Sequence, residues 1–102
     1  MDRRHSAVRS KILELCSEDD YGSWELWWAV TSDHKNIADQ DLQFNFVNVM
    51  ETLVRDRKIV AKIRTVGLKF LVVSFSRERL NEEINSAIRP DPNTFYWFGS
   101  SD

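Results

Sequence analysis

The sequence has little cysteine, glycine or proline, and the shortages exclude several classes of protein. Its one cysteine, Cys16, cannot form a disulfide within the chain and offers too few thiolates for a cysteine-built metal site. Gly22, Gly67 and Gly99 lie far apart and form no phosphate-binding loop. There is no apolar run of about 18 residues and no signal-peptide pattern, so we expect a cytoplasmic protein without a membrane partner.

Residues suited to catalysis or metal binding are also scarce. His5 lies near the N-terminus and His34 lies in a polar stretch, and neither has a nucleophile or a ligand cluster close by in sequence. The sequence therefore predicts no enzyme activity, no catalytic residue, no metal, no cofactor and no evident small-molecule substrate.

The charge of the chain is small in total but unevenly distributed. The 102 residues, 42% of them hydrophobic and 29% charged, fit a single domain spanning 1–102 with a net charge of −2. Residues 55–79 carry eight basic and two acidic side chains, whereas residues 21–54 carry one basic and five acidic. Any proposed function must explain why most of the positive charge lies in residues 55–79.

Four segments repeat apolar residues at helical spacing, which predicts helices over 6–17, 23–30, 39–57 and 77–89. Ser23 and Ser76 are the predicted N-caps of the second and fourth helices, and Pro90 ends the fourth. Cys16 lies on the apolar stripe of the first helix, so we expect it to be a small core residue.

The second helix is unusually aromatic. Trp24, Trp27 and Trp28 share one side and aliphatic residues share the other, so we expect this helix to be covered on nearly all sides. An aromatic cage for a methylated cation needs rings around a pocket, whereas these rings lie along one helix side. The pattern favours core or interface packing.

After Lys58 the apolar residues recur at every second position, no longer at helical spacing. The alternation predicts strands over 59–64 and 68–73, joined by a turn at 65–67 into a β-hairpin. The tail, 90–102, contains four consecutive aromatic residues from Phe95 to Phe98. Alternate rings face opposite ways in an extended chain, so an added strand or a dimer contact would bury both sets.

Two stretches of the sequence resemble parts of the winged helix-turn-helix superfamily. Ser23 to Leu26 resemble the capped start of its second helix, and Met50 to Val60 resemble its third helix running into the first wing strand. Lys58 stands where many members have glycine. The resemblance covers 6–89. It implies an α+β, mainly α fold with three helices, a two-stranded β-hairpin wing and a C-terminal helix, here followed by the aromatic tail.

For winged helices the resemblance implies binding of double-stranded DNA, with the third helix in the major groove and the wing against the backbone. On that hypothesis the chain is a transcription-regulatory domain. Basic side chains on and before the hairpin contact phosphates and one amide reads bases. These residues are Lys62, Arg64, Lys69, Arg55 and Lys58 for phosphates, with Asn48 as the reader. The alternative is that the cations are ordinary solvated surface charges.

A second hypothesis is a winged-helix protein-interaction or dimerisation module that binds no nucleic acid. Asp41 and Glu51 lie on the solvent face of the third helix, where they would repel phosphates, and Phe44 lies among them. That phenylalanine is either a partner contact or is covered by its own chain. The candidate partner-binding residues are Phe44, Trp27, Trp97 and Tyr96, and the partner they suggest first is a second copy in a homodimer.

Overall fold

The computed structural model describes residues 3–33, 39–64, 69–85 and 95–100, which form a small α+β domain, mostly helical, with a four-stranded antiparallel sheet. None of the described helices has both the length and the apolar character needed to cross a membrane. The elements are α1 (Arg3–Glu18), β1 (Tyr21–Gly22), α2 (Ser23–Asp33), α3 (Asp39–Arg55), β2 (Ile59–Arg64), β3 (Phe70–Val72), α4 (Arg77–Asn85) and β4 (Tyr96–Ser100).

The four predicted helices are present, and their apolar stripes form one core against the sheet. Cys16 is 3% exposed, which confirms it as a core residue. The Ser76 cap of α4 is also confirmed, because its Oγ accepts the Arg79 N–H at 3.3 Å. Residues 86–90, the predicted end of that helix, lie outside the described residues. The buried helical side chains are Val8, Ile12, Cys16, Ser23, Leu26, Val30, Leu42, Phe46, Val47, Val49, Met50, Leu53, Leu80, Glu83 and Ile84.

The sheet is larger than the predicted two-stranded hairpin. β2 and β3 pair antiparallel as predicted, but the strand order is β1-β4-β2-β3. The tail therefore supplies an inner strand, which confirms the added-strand alternative for Tyr96–Ser100, with Ala61 opposite Phe98. The hairpin turn at 65–67 and Leu68 lie outside the described residues. Burial of alternate rings on both sides of β4 explains why so apolar a segment is not a free end.

β1 was not predicted, because two residues are too few to show an alternating pattern. Gly22 lies opposite Trp97 in the adjacent strand. A Cβ atom on Gly22 would lie 2.5 Å from Cε1 of Phe95, so a glycine is needed for this close approach.

The second helix differs from expectation in two ways. Glu25 Oε1 accepts the Gly22 N–H at 3.3 Å, as the third helical residue does in a capping box, which makes Gly22 the N-cap. The hydroxyl of Ser23, the predicted cap, instead donates to Glu83 Oε1 at 2.7 Å. The expectation that the helix is covered on nearly all sides is wrong, because Trp28 is 73% exposed.

The turn from α3 to β2 is a Schellman motif without glycine. The Lys58 N–H donates to the Leu53 carbonyl at 2.9 Å and the Arg57 N–H to the Val54 carbonyl at 3.1 Å. Arg57 has a φ of 60°, the left-handed conformation that glycine adopts without cost. The left-handed residue is thus Arg57, one position before Lys58, where the resemblance places glycine.

Candidate functional site on the sheet

One face of the sheet covers the core and the other carries an aromatic and basic surface, here called the outer face. Residues opposite each other in antiparallel strands point to the same side. Ile59, Ala61, Tyr96 and Phe98 therefore face the core, where each is about 1% exposed or less. The same register places a second set on the outer face, namely Lys62, Arg64, Phe70, Val72 and Trp97.

The outer face is organised around Trp97. The ring of Phe70 meets it edge-on with centroids 5.5 Å apart, and the Arg64 guanidinium carbon lies 5.8 Å from its centroid. Lys62 Nζ lies 5.7 Å from the centroid of Phe70. Such cation–π contacts hold both cations against the sheet.

Lys62, a predicted phosphate contact, is bound within the domain. Its Nζ lies 2.8 Å from Asp20 Oδ1, and its side chain is only 17% exposed. Asp20 reaches the sheet because Gly99 has no side chain, and a Cβ atom there would collide with the carboxylate. The ion pair neutralises Lys62, so the side chain is less suited to a phosphate than the sequence suggested.

The other predicted nucleic-acid contacts fall into two groups at opposite ends of β2. Arg64, the last residue of β2, is half-buried and Lys69, just before β3, is exposed, whereas Arg55 and Lys58 are exposed at the α3–β2 turn. At about 3.3 Å per residue, the Lys58 and Arg64 backbones are roughly 20 Å apart. Arg55 has a 71% exposed side chain, 3.6 Å from Asp56, and Asn48, the predicted reader, is half-buried on α3.

The four predicted partner contacts have different surroundings. Phe44 is 63% exposed, so the alternative that its own chain covers it is wrong. Trp27 packs edge-on against Phe46 at 5.3 Å. Tyr96 is 1% exposed in the core, where a partner cannot reach it. Trp97 is half-buried on the outer face.

The outermost strand, β3, is the most exposed apolar segment of the sheet. Phe70, Leu71 and Val72 are 37%, 56% and 69% exposed, on both faces of a strand with no charged residue. Among the described strands none pairs with its outer side. Sequence reasoning missed this edge, because a strand that is apolar on both faces is typical of the interior of a sheet.

Backbone geometry shows which groups β3 presents at this edge. The Val73 N–H donates to the Ala61 carbonyl at 2.9 Å, so these two residues form a hydrogen-bonded pair. Hydrogen-bonded and non-hydrogen-bonded pairs alternate along antiparallel strands. Leu71 therefore bonds to β2, whereas the N–H and C=O groups of Phe70 and Val72 point outward.

No group of three His, Cys, Asp or Glu side chains suited to a metal ion occurs in the described part of the chain. The sequence matches no protein-family model, and no curated protein or solved structure matches it significantly.

Proposed function

We propose that the chain is a homodimerisation module of the winged-helix type, in which two copies pair through their β3 edges. The observation that carries the proposal is an uncharged edge strand whose three side chains are all apolar and exposed. Exposed edges of this kind template pairing with another strand, and native proteins protect them unless they are used. The sheets of two copies would join into one of eight strands.

The outward backbone groups favour a second copy as the partner. When the β3 strands of two copies pair antiparallel with Leu71 opposite Leu71, Phe70 of each copy lies opposite Val72 of the other. Each of these pairs exchanges two hydrogen bonds, so the pairing uses all four outward groups of each β3 strand. Such an arrangement has the self-complementarity of a two-fold dimer, and it brings no like charges of β3 together.

The winged-helix part of the proposal rests on element order. Three helices precede the β2–β3 hairpin and a fourth follows it, which is the order that the resemblance implies. A Schellman turn joins the third helix directly to the first hairpin strand. The insertion of β4 beside β2 is an addition to that pattern.

The test is the oligomeric state of the full chain by sedimentation equilibrium, with Val72→Pro as the decisive variant. Proline removes one outward N–H and leaves the bonds between β2 and β3 intact, so we expect a folded monomer. Val72→Thr keeps the N–H and the β-branched shape and should still dimerise. Phe44→Ser, at an exposed aromatic residue on α3, is the matched control and should also remain dimeric.

Two results would contradict this dimer. One is a wild-type chain that stays monomeric up to millimolar concentration. The other is a Val72→Pro variant that dimerises as tightly as Val72→Thr, because the outward N–H would then have no part in association.

A second candidate function is binding of duplex DNA, supported by the basic side chains at the two ends of β2. Lys58 and Lys69 are exposed, as is Arg55; Arg55 and Lys58 lie just before β2, and Lys69 lies just before β3. Phosphate contacts make affinity fall steeply with salt. We expect low-salt duplex binding that is lost when the cations at both ends are reversed, in the variant Arg55→Glu, Lys58→Glu, Arg64→Glu, Lys69→Glu. Binding that survives these four reversals, or no binding even at low salt, removes this candidate.

A further inference from the structure

A concave groove with aromatic walls lies on the exposed side of α2, away from the β3 edge. It encloses about 380 Å³, within the roughly 300–1,000 Å³ range of small-molecule sites. Three of its six lining residues are aromatic and one is a carboxylate. The lining residues are Tyr21, Trp24, Glu25, Trp28, Ala29 and Ser32.

None of the three aromatic rings of the groove takes part in a ring–ring or cation–π contact among the described residues, although Tyr21 packs in part against the core. All twelve aromatic side chains of the sequence lie in the described part of the chain, and eight of them take part in ring–ring or cation–π contacts there. The four that do not are Phe44 and the groove residues Tyr21, Trp24 and Trp28. No other described ring or cation therefore occupies the π faces of the groove residues, and Trp28 is 73% exposed.

The fold adds a ring from outside α2 to two rings that share one side of that helix. Tyr21 comes from β1, and α2 contributes Trp24 and Trp28, while Trp27 turns away to pack on Phe46. Trp24 is held in place because its Nε1 donates to the Glu83 carbonyl at 2.9 Å. Trp28 is 73% exposed and forms an outer wall.

Charge around the groove favours a cation. Residues 18–33 contain five acidic side chains and no basic one, and of the five Asp20 is paired with Lys62. Glu25 lines the groove, and its Oε1 accepts the Gly22 N–H, which anchors the carboxylate at the start of α2. A low-salt solution would therefore concentrate cations near the aromatic rings.

We propose that this groove binds the trimethylammonium group of a small soluble molecule. A quaternary ammonium ion cannot donate hydrogen bonds and is weakly hydrated, so it is recognised by aromatic faces together with a nearby carboxylate. Tyr21, Trp24 and Trp28 supply the faces and Glu25 supplies the charge. The size of the groove suits a head group better than an extended peptide. The proposal is independent of dimerisation, because no groove residue lies on β3.

The experiment titrates the uniformly labelled full chain with choline and follows the tryptophan indole N–H signals by NMR, at constant ionic strength. The matched ligand is 3,3-dimethylbutan-1-ol, which has the same shape but a carbon in place of the charged nitrogen. We expect saturable shifts of the Trp24 and Trp28 signals with choline, and binding of the neutral alcohol weaker by about tenfold.

Variants separate the groove from the rest of the surface. Trp28→Leu removes a ring face at a largely exposed position, so it should leave the fold intact and weaken choline binding about tenfold. Glu25→Gln keeps an acceptor for the Gly22 N–H and should weaken binding about threefold through the lost charge. Phe44→Leu removes an exposed ring outside the groove and should bind choline normally.

Three results would overturn the proposal: no saturable shift with choline, equal affinity for choline and the neutral alcohol, or unchanged choline affinity in Trp28→Leu. Thermal melts of each variant identify any loss of binding that is due to unfolding. If Trp28→Leu fails to fold, the comparison of choline with its neutral analogue on the wild-type chain still decides the question.

Discussion

Glu83 is the buried carboxylate that joins three elements of the domain, and its removal should be severely destabilising. The side chain projects from α4 and is 8% exposed. Its Oε1 accepts the Ser23 hydroxyl at 2.7 Å and the Tyr96 N–H at 3.0 Å, and its Oε2 accepts the Arg79 Nε–H at 3.1 Å. One carboxylate therefore connects α4 to the start of α2 and the start of β4.

The size of the effect follows from the groups that Glu83→Ala would leave without an acceptor. A buried donor that loses its acceptor costs about 1–3 kcal/mol, and the hydroxyl of Ser23 and the N–H of Tyr96 would both lose theirs. Arg79 is 40% exposed, so water can solvate it and it adds little. We expect a loss of about 3–5 kcal/mol, a large share of the roughly 5–15 kcal/mol that stabilises a domain of this size. Glu83→Gln keeps one carbonyl oxygen and should cost about 1–2 kcal/mol.

The assay is urea unfolding followed by tryptophan fluorescence, with Glu82→Ala as the control. Glu82 is the exposed neighbour on the same helix, so its substitution should change the free energy of unfolding by no more than about 0.5 kcal/mol. In a double-mutant cycle with Ser23→Ala, the two losses should fall short of additivity by about 1 kcal/mol. Equal losses in Glu83→Ala and Glu82→Ala would refute the role of this carboxylate.

Two further predictions concern stability. Because Arg57 has a φ of 60°, Arg57→Gly should be more stable than Arg57→Ala by about 1 kcal/mol in the same urea assay, and equal midpoints would contradict this account of the turn. Burial raises the pKa of the Cys16 thiol from 9.0 to about 12. The unfolded chain therefore releases this proton at lower pH than the folded chain does. The thiol's contribution to stability is complete below pH 9.0 and is lost as the pH rises towards about 12. From about pH 8 to about pH 10 the wild type should lose roughly 1.4 kcal/mol more than Cys16→Ala, and equal losses would contradict the predicted shift.

Local patterns in the sequence were enough to predict the four helices and the hairpin, because helices and strands repeat their apolar residues at different spacings and each segment is long enough to show its spacing. The sequence also placed Phe44 on the side of α3 opposite the stripe from Leu42 to Leu53, but only the structure, in which Phe44 is 63% exposed, showed that its own chain does not cover it. The basic hairpin was visible as a charge count, and Cys16 as a core residue followed from its helical position.

The neighbours of each strand in the sheet became known only from the folded chain. The tail could form an added strand or a dimer contact, and only its insertion between β1 and β2 placed Tyr96 in the core and left β3 at the edge. The same insertion brought Trp97 beside Arg64 and Phe70. Local periodicity records which side of a segment is apolar, but it contains no information on which segment covers that side.

Pairing between distant residues likewise lies outside the reach of a local pattern. The sequence predicted that Lys62 is available to contact a phosphate. In the structure it binds Asp20, which lies 42 residues away in the chain. The sequence predicted that the tryptophans of α2 pack in a core or an interface. In the structure the chain turns at Gly22, which places Tyr21 in the same groove as Trp24 and Trp28. The sequence thus shows which types of side chain are available for binding. Which of these side chains are paired with an opposite charge, which are exposed and which lie together depends on contacts between residues far apart in the chain, and no single segment specifies those contacts.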